Sequence, residues 1–107
     1  NANEWQYYIA GKGRMTVFSS HGHAQTEEYA PSDVGYVPQG FGHYIENIGD
    51  EDLKVLIVMD NGIYQDISLS DWLAKTPAYL LADNFNNQVE DWQDRPKDKR
   101  VMSRRSR

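Results

Sequence analysis

Between Glu4 and Met59 the chain is cut into six short stretches by turns rich in Gly and Pro. No stretch there has room for a long helix, so this part must be built from short strands. The first, residues 4–10, alternates strictly: Glu4, Gln6 and Tyr8 fall on one face and Trp5, Tyr7 and Ile9 on the other. Further strands are expected at 14–19, 24–29, 34–37 and 41–48, the last with His43, Ile45 and Asn47 on one face. The run Leu53-Lys-Val-Leu-Ile-Val-Met59 is apolar on both faces except at Lys54, and reads as a buried strand. Turns recurring every eight to twelve residues or so predict an all-β sandwich or barrel.

The pattern changes at Ser68. Ser68 is placed to cap a helix, with Asp71 three positions later reaching back toward the first free amides, and Leu69, Trp72 and Leu73 share one side. Pro77 can open a second helix through Ala82. Trp72, Tyr79, Leu80 and Leu81 on this helical pair need cover, which predicts an interface with another domain or subunit. The expected organisation is therefore a barrel over 1–67, two helices over 68–87 and a charged, flexible tail over 88–107, with Ser103 to Arg107 disordered.

Charge divides at the same place. Residues 1–87 hold 4 basic and 12 acidic side chains, whereas residues 88–107 hold 7 basic and 4 acidic. With a net charge of −5, the chain does not have the footprint of a nucleic-acid binder. Cysteine is absent, so neither disulfides nor thiolate metal ligands are available and the compartment stays open. No apolar run nears the ~20 residues that span a bilayer, and Asn-Ala-Asn-Glu does not read as a signal peptide.

Two segments carry the chemistry. In the first, Glu4 is followed by six residues and Gly11; the second is Pro38-x-Gly40-x-x-His43-x-x-x-Asn47. Taken alone, Glu4 could be an ion-paired strand residue and His43 a hydrogen-bonded core histidine. Brought together on neighbouring strands, a carboxylate and an imidazole are half of a metal site. His21 and His23 also form a His-x-His pair, but with Gly22 between them at a hairpin tip they read as exposed turn residues.

Both spacings resemble the two cupin motifs, and the words Glu4-Trp-Gln-Tyr-Tyr8 and Asp33-Val-Gly-Tyr-Val-Pro38 resemble the oxalate decarboxylase branch of the bicupins. This resemblance, over residues 1 to about 83, implies a cupin jelly-roll barrel, here incomplete, and a Mn2+ site with three His and one Glu. Glu4 and His43 match two of those ligands; the other two histidines are expected upstream of Asn1, in a His-x-His segment, so the chain reads as a fragment. Tyr8 and Tyr64 are expected beside the substrate cavity. The implied substrate is oxalate, split into formate and carbon dioxide, and the implied partners are an N-terminal cupin and further copies in a homo-oligomer, with no nucleic acid and no membrane. Isolated from that cupin, the chain is expected to be inactive.

Two positions depart from the family. Ile57 stands where a glutamate usually faces the metal, and an isoleucine can neither give nor take a proton. Ser32 replaces the first Gly of the second motif, and a left-handed backbone angle at that turn is one Ser would tolerate poorly. Three readings follow: the C-terminal half of a decarboxylase, a non-catalytic structural or metal-storing cupin module, or an oxalate oxidase resembling germins.

Overall fold

A computed structural model describes residues 1–104. The chain divides into two compact units, Asn1–Gln65 and Asp66–Arg107. In the first unit six strands form, β1 (Glu4–Ala10), β2 (Gly13–Phe18), β3 (Ala24–Tyr29), β4 (Val34–Val37), β5 (Gly42–Asn47) and β6 (Lys54–Met59). They make two antiparallel three-stranded sheets, ordered β4-β1-β6 and β3-β2-β5. This is the all-β, jelly-roll architecture expected, with sheets that do not close into a complete barrel.

Strand alternation decides which faces meet. Glu4, Gln6 and Tyr8 on β1 are buried, whereas Trp5, Tyr7 and Ile9 between them are about half exposed. Opposite them, Met15 of β2 is buried, and Tyr29 of β3 stacks on Tyr8 with ring centroids 4.5 Å apart. The core is therefore thin and unusually polar. Two glycines make room for it: a Cβ at Gly13 would lie 2.9 Å from the Tyr8 ring, and one at Gly35 would lie 3.1 Å from the Gln6 amide oxygen.

One expectation is corrected here. The apolar run at 53–59 forms a strand, but not a buried one: Leu56, Ile57 and Val58 are 53%, 44% and 53% exposed. β6 pairs only with β1 and lies at the edge of its sheet, so apolarity on both faces identified the strand and misjudged its neighbours.

Ser32 does adopt the left-handed angle, with φ +76°. The turn Ala30-Pro-Ser-Asp33 closes through Asp33 N–H to the Ala30 carbonyl at 3.1 Å, and Asp33 Oδ2 accepts from the Ala30 N–H. Ser32 and Asp33 then exchange hydrogen bonds with Tyr8: Ser32 N–H donates to the Tyr8 carbonyl at 2.8 Å and Tyr8 N–H to the Asp33 carbonyl at 3.0 Å. These bonds hold the serine in a conformation that suits glycine.

In the second unit, α1 (Leu69–Lys75) and α2 (Ala78–Phe85) follow. α2 starts after Pro77 as expected but runs three residues further, ending on Asn86 at φ +53°, a conformation that asparagine tolerates. Ser68 occupies the N-cap position of α1 without capping it. Its hydroxyl pairs with Ser70 at 2.9 Å, and Asp71 turns outward to Lys75 at 2.8 Å, one helical turn away. The reciprocal capping box forms instead between Gln88 and Asp91.

The segment expected as a flexible tail is fastened over its first part. Residues Val89–Trp92 form a 3-10 turn, and Trp92 meets Phe85 with ring centroids 5.2 Å apart. Arg95 donates to the carbonyls of Leu73, Ala74, Thr76 and Trp92 at 2.6–3.3 Å, satisfying carbonyls that the end of α1 leaves unpaired. A planar guanidinium can reach several carbonyls at once, which the charge pattern alone did not reveal. Of the apolar helical residues, Trp72, Tyr79 and Leu80 are exposed and Leu81 is buried. The expected disorder at 103–107 falls largely on residues 105–107, outside the described residues.

Because a left-handed backbone costs a non-glycine residue about 1–2 kcal/mol, while glycine loosens the unfolded chain by somewhat less, Ser32→Gly should stabilise the chain by about 0.5–1 kcal/mol. Urea unfolding measures this, and a loss of stability would show that the serine side chain, not the backbone angle, matters at this turn.

Candidate metal centre

Glu4 opens β1, the central strand of its sheet, paired opposite Val37 on one side and Met59 on the other. It is 8% exposed. His43 lies on β5 of the other sheet, opposite Val17. The turn before it, closed by Phe41 N–H donating to the Pro38 carbonyl at 3.1 Å with Gly40 at φ +82°, aims the strand so that His43 faces inward. The two side chains meet: Nε2 of His43 is 3.2 Å from Oε2 of Glu4.

The ring's other nitrogen fixes what that meeting means. Nδ1 of His43 lies 3.1 Å from the Phe41 carbonyl oxygen, which can only accept, so Nδ1 carries a hydrogen. In neutral His43 the bare Nε2 then points its lone pair at a carboxylate. Such a contact is favourable only when a proton or a cation sits between the two groups. The hydrogen bond to Glu4 raises the pKa of His43 against the opposing effect of burial, and the bond from His43 lowers that of Glu4, so the pair favours a proton between its two groups. A bound divalent ion would replace that proton with an imidazole nitrogen and a carboxylate oxygen, donors that suit manganese. The two donors thus fit half of such a site. Among the described residues, no group of three or more His, Cys, Asp or Glu is clustered as a metal would need.

Behind Glu4 lies a residue that the sequence reading did not single out. Gln6 is fully buried, and its Nε2 donates to Glu4 Oε2 at 2.5 Å. The Tyr8 hydroxyl in turn donates to Gln6 Oε1 at 2.9 Å. Strict alternation along β1 put Gln6 on the face of Glu4 and Tyr8, so the signal was present; glutamine's neutrality made it easy to pass over.

Tyr8 is consequently not a wall of an open cavity, as expected. It is wholly buried against Tyr29, and burial, with smaller contributions from Tyr29 and Glu4, pushes its pKa up to about 12. Tyr64 stands in the loop after β6, 62% exposed, in a segment tied to Asn1 by hydrogen bonds at Ile63 and Gln65. His21 and His23 are exposed around a 3-10 turn, with ring centroids 6.4 Å apart. A cavity of about 660 Å³ opens beside the core, lined by Met15, Val17, Gln25, Glu27, Tyr29 and Phe41 among others. Neither Glu4 nor His43 lines it; Phe41, whose carbonyl holds His43, connects the two places.

Comparison with known proteins finds oxalate decarboxylases. Oxalate decarboxylase OxdC of Bacillus subtilis (strain 168) is 58% identical over 77 residues, which are 72% of this chain and 20% of that protein. An oxalate decarboxylase of Arthroderma benhamiae is 39% identical over 102 residues, 94% of this chain and 24% of the relative. Among solved structures, one of Bacillus subtilis oxalate decarboxylase, described for its Mn(II) centres, superposes with a TM-score of 0.94 at 44% identity, covering 99% of this chain and 28% of the other. The chain thus spans about a fifth to a quarter of the length of the curated relatives it matches. The family model for cupins matches residues 1–92, and the chain belongs to the cupin family.

Proposed function

We propose that this cupin is part of a manganese-dependent oxalate decarboxylase, which turns oxalate and one proton into formate and carbon dioxide, with Glu4 and His43 as two of the manganese ligands. The observation that carries this reading is the pair itself: His43 Nε2 lies 3.2 Å from a Glu4 carboxylate oxygen while the other ring nitrogen is committed to the Phe41 carbonyl. Its remaining ligands would come from histidines outside these 107 residues. When bound, manganese supplies positive charge beside the oxalate carboxylates and an accessible change of oxidation state.

The chain's own residues would hold and orient. Phe41 fixes the His43 ring through Nδ1, leaving Nε2 to coordinate. Glu4, held by the Gln6 amide, brings the negative charge that balances the cation. Tyr8 stays protonated under its burial, so it offers no base at neutral pH.

Ile57 favours a second reading for this half. It sits opposite Gln6 in the β1–β6 register, on the strand face that carries Glu4, and has no proton to deliver to a formate carbon. In that reading this cupin binds metal and supports the assembly, while turnover belongs to another cupin of the same protein.

Given oxalate, the manganese-loaded protein that carries this cupin should release formate and carbon dioxide in equal amounts. Hydrogen peroxide as the main product would replace the decarboxylase with an oxidase. The 107-residue chain alone, offering two ligands of four, should hold manganese weakly and lose it on gel filtration, with no measurable turnover. Elemental analysis after filtration checks this, and one tightly held manganese per chain would contradict it.

A further inference from the structure

The buried row Tyr8, Gln6, Glu4 has a direction that its chemistry dictates. Glu4, as a carboxylate, can only accept, so the Gln6 atom facing it at 2.5 Å must be the NH2 group. The Gln6 oxygen is thereby turned to Tyr8, and the Tyr8 hydroxyl, 2.9 Å away, must donate. The Tyr8 ring cannot swing away, because it is stacked on Tyr29 at an interplanar angle of 9° and fully buried. Nor can Gln6, which is equally buried and for which the bare backbone of Gly35 leaves just enough room. Gln6 Nε2 and His43 Nε2 both lie against the same Glu4 oxygen, Oε2.

We propose that Gln6 is a positioning residue for Glu4: anchored by the Tyr8 hydroxyl, its amide holds Oε2 and so fixes the orientation in which the Glu4 carboxylate meets a divalent cation. The inference rests on the reading of Glu4 as a cation ligand and adds what holds that ligand in place. A fixed carboxylate loses less freedom when the ion arrives. Gln6 touches neither the cation nor the substrate; it acts through Glu4.

The test uses the 107-residue chain with Mn2+ alone as the probe, at millimolar concentrations suited to a weak site. Without metal, the Gln6 side-chain NH2 protons should appear by NMR as two separate, slowly exchanging signals. With metal, Gln6→Met, nearly isosteric but without a donor, should weaken Mn2+ binding roughly ten- to a hundredfold, the range typical of outer-shell partners, and alter the Mn(II) EPR spectrum. Tyr8→Phe keeps the ring stack, removes only the anchor, and should move the Glu4 carboxyl 13C shift and the Mn2+ affinity in the same sense by a smaller factor. It keeps the test valid if Gln6→Met fails to fold.

Rapidly exchanging Gln6 amide protons would overturn the proposal. So would Mn2+ affinity and EPR spectrum unchanged in both variants while Glu4→Gln abolishes binding, an outcome that leaves Glu4 as a ligand and removes only the role of Gln6. If the unsubstituted chain binds no Mn2+ that Glu4→Gln can abolish, the ligand reading itself falls and this inference with it.

Discussion

A single contact across the two sheets organises the first unit: Nε2 of His43 against Oε2 of Glu4 at 3.2 Å. Each group arrives with its other side already committed, His43 to the Phe41 carbonyl and Glu4 to the Gln6 amide. On the buried side, Glu4 cannot rotate away without leaving the Gln6 amide unsatisfied, where an unpaired polar group costs about 1–3 kcal/mol. The polar row therefore takes the place that a layer of leucines would fill in an ordinary sandwich, and the side chains around it, Tyr8, Tyr29 and Met15, pack to support it. Such a core is poor in hydrophobic stabilisation and rich in orientation, the balance expected of a site more than of a scaffold.

Much of this was legible in the sequence because strand physics is local. Alternation along Glu4–Ala10 placed Glu4, Gln6 and Tyr8 on one face, and Gly and Pro marked the ends of the strands to within a residue or so. What the sequence lacked was information about neighbours. The run Lys54–Met59 looks like a central strand because its side chains are apolar on both faces, yet in this chain only β1 flanks it. Likewise Tyr8 and Tyr64 were grouped as cavity residues by resemblance, although one is sealed in the core and the other is largely exposed. Capping was misplaced for a related reason: Ser68 and Asp71 have the right spacing, but Ser70 and Lys75 offer them competing partners. Arg95, invisible in a charged segment, became important through four carbonyls that only the folded helices bring together.

The exposed edge at β6 bears on function through what it leaves uncovered. Trp5, Tyr7 and Ile9 on the outer face of β1, with Leu56 and Val58 beside them on β6, form more exposed apolar surface than isolated side chains would account for. Ile57, on the opposite face of the same strand, removes the acid that proton delivery to a carbon would require. Both features suit the proposed reading of a cupin that supplies part of a metal site and relies on residues elsewhere for the rest of its chemistry.

The account stands or falls on Glu4 and His43 sharing one small space, and NMR titration of the His43 ring in the 107-residue chain tests this most directly. The hydrogen bond to Glu4 raises the folded-state pKa of His43, so its contribution to stability is complete below the ordinary histidine value of about 6.5 and is lost as pH rises through the folded value. The account predicts that His43 titrates above the ordinary value, keeps its hydrogen on Nδ1 when neutral, and returns toward the ordinary value in Glu4→Gln. A His43 that titrates at or below the ordinary value, unmoved by Glu4→Gln, would contradict it.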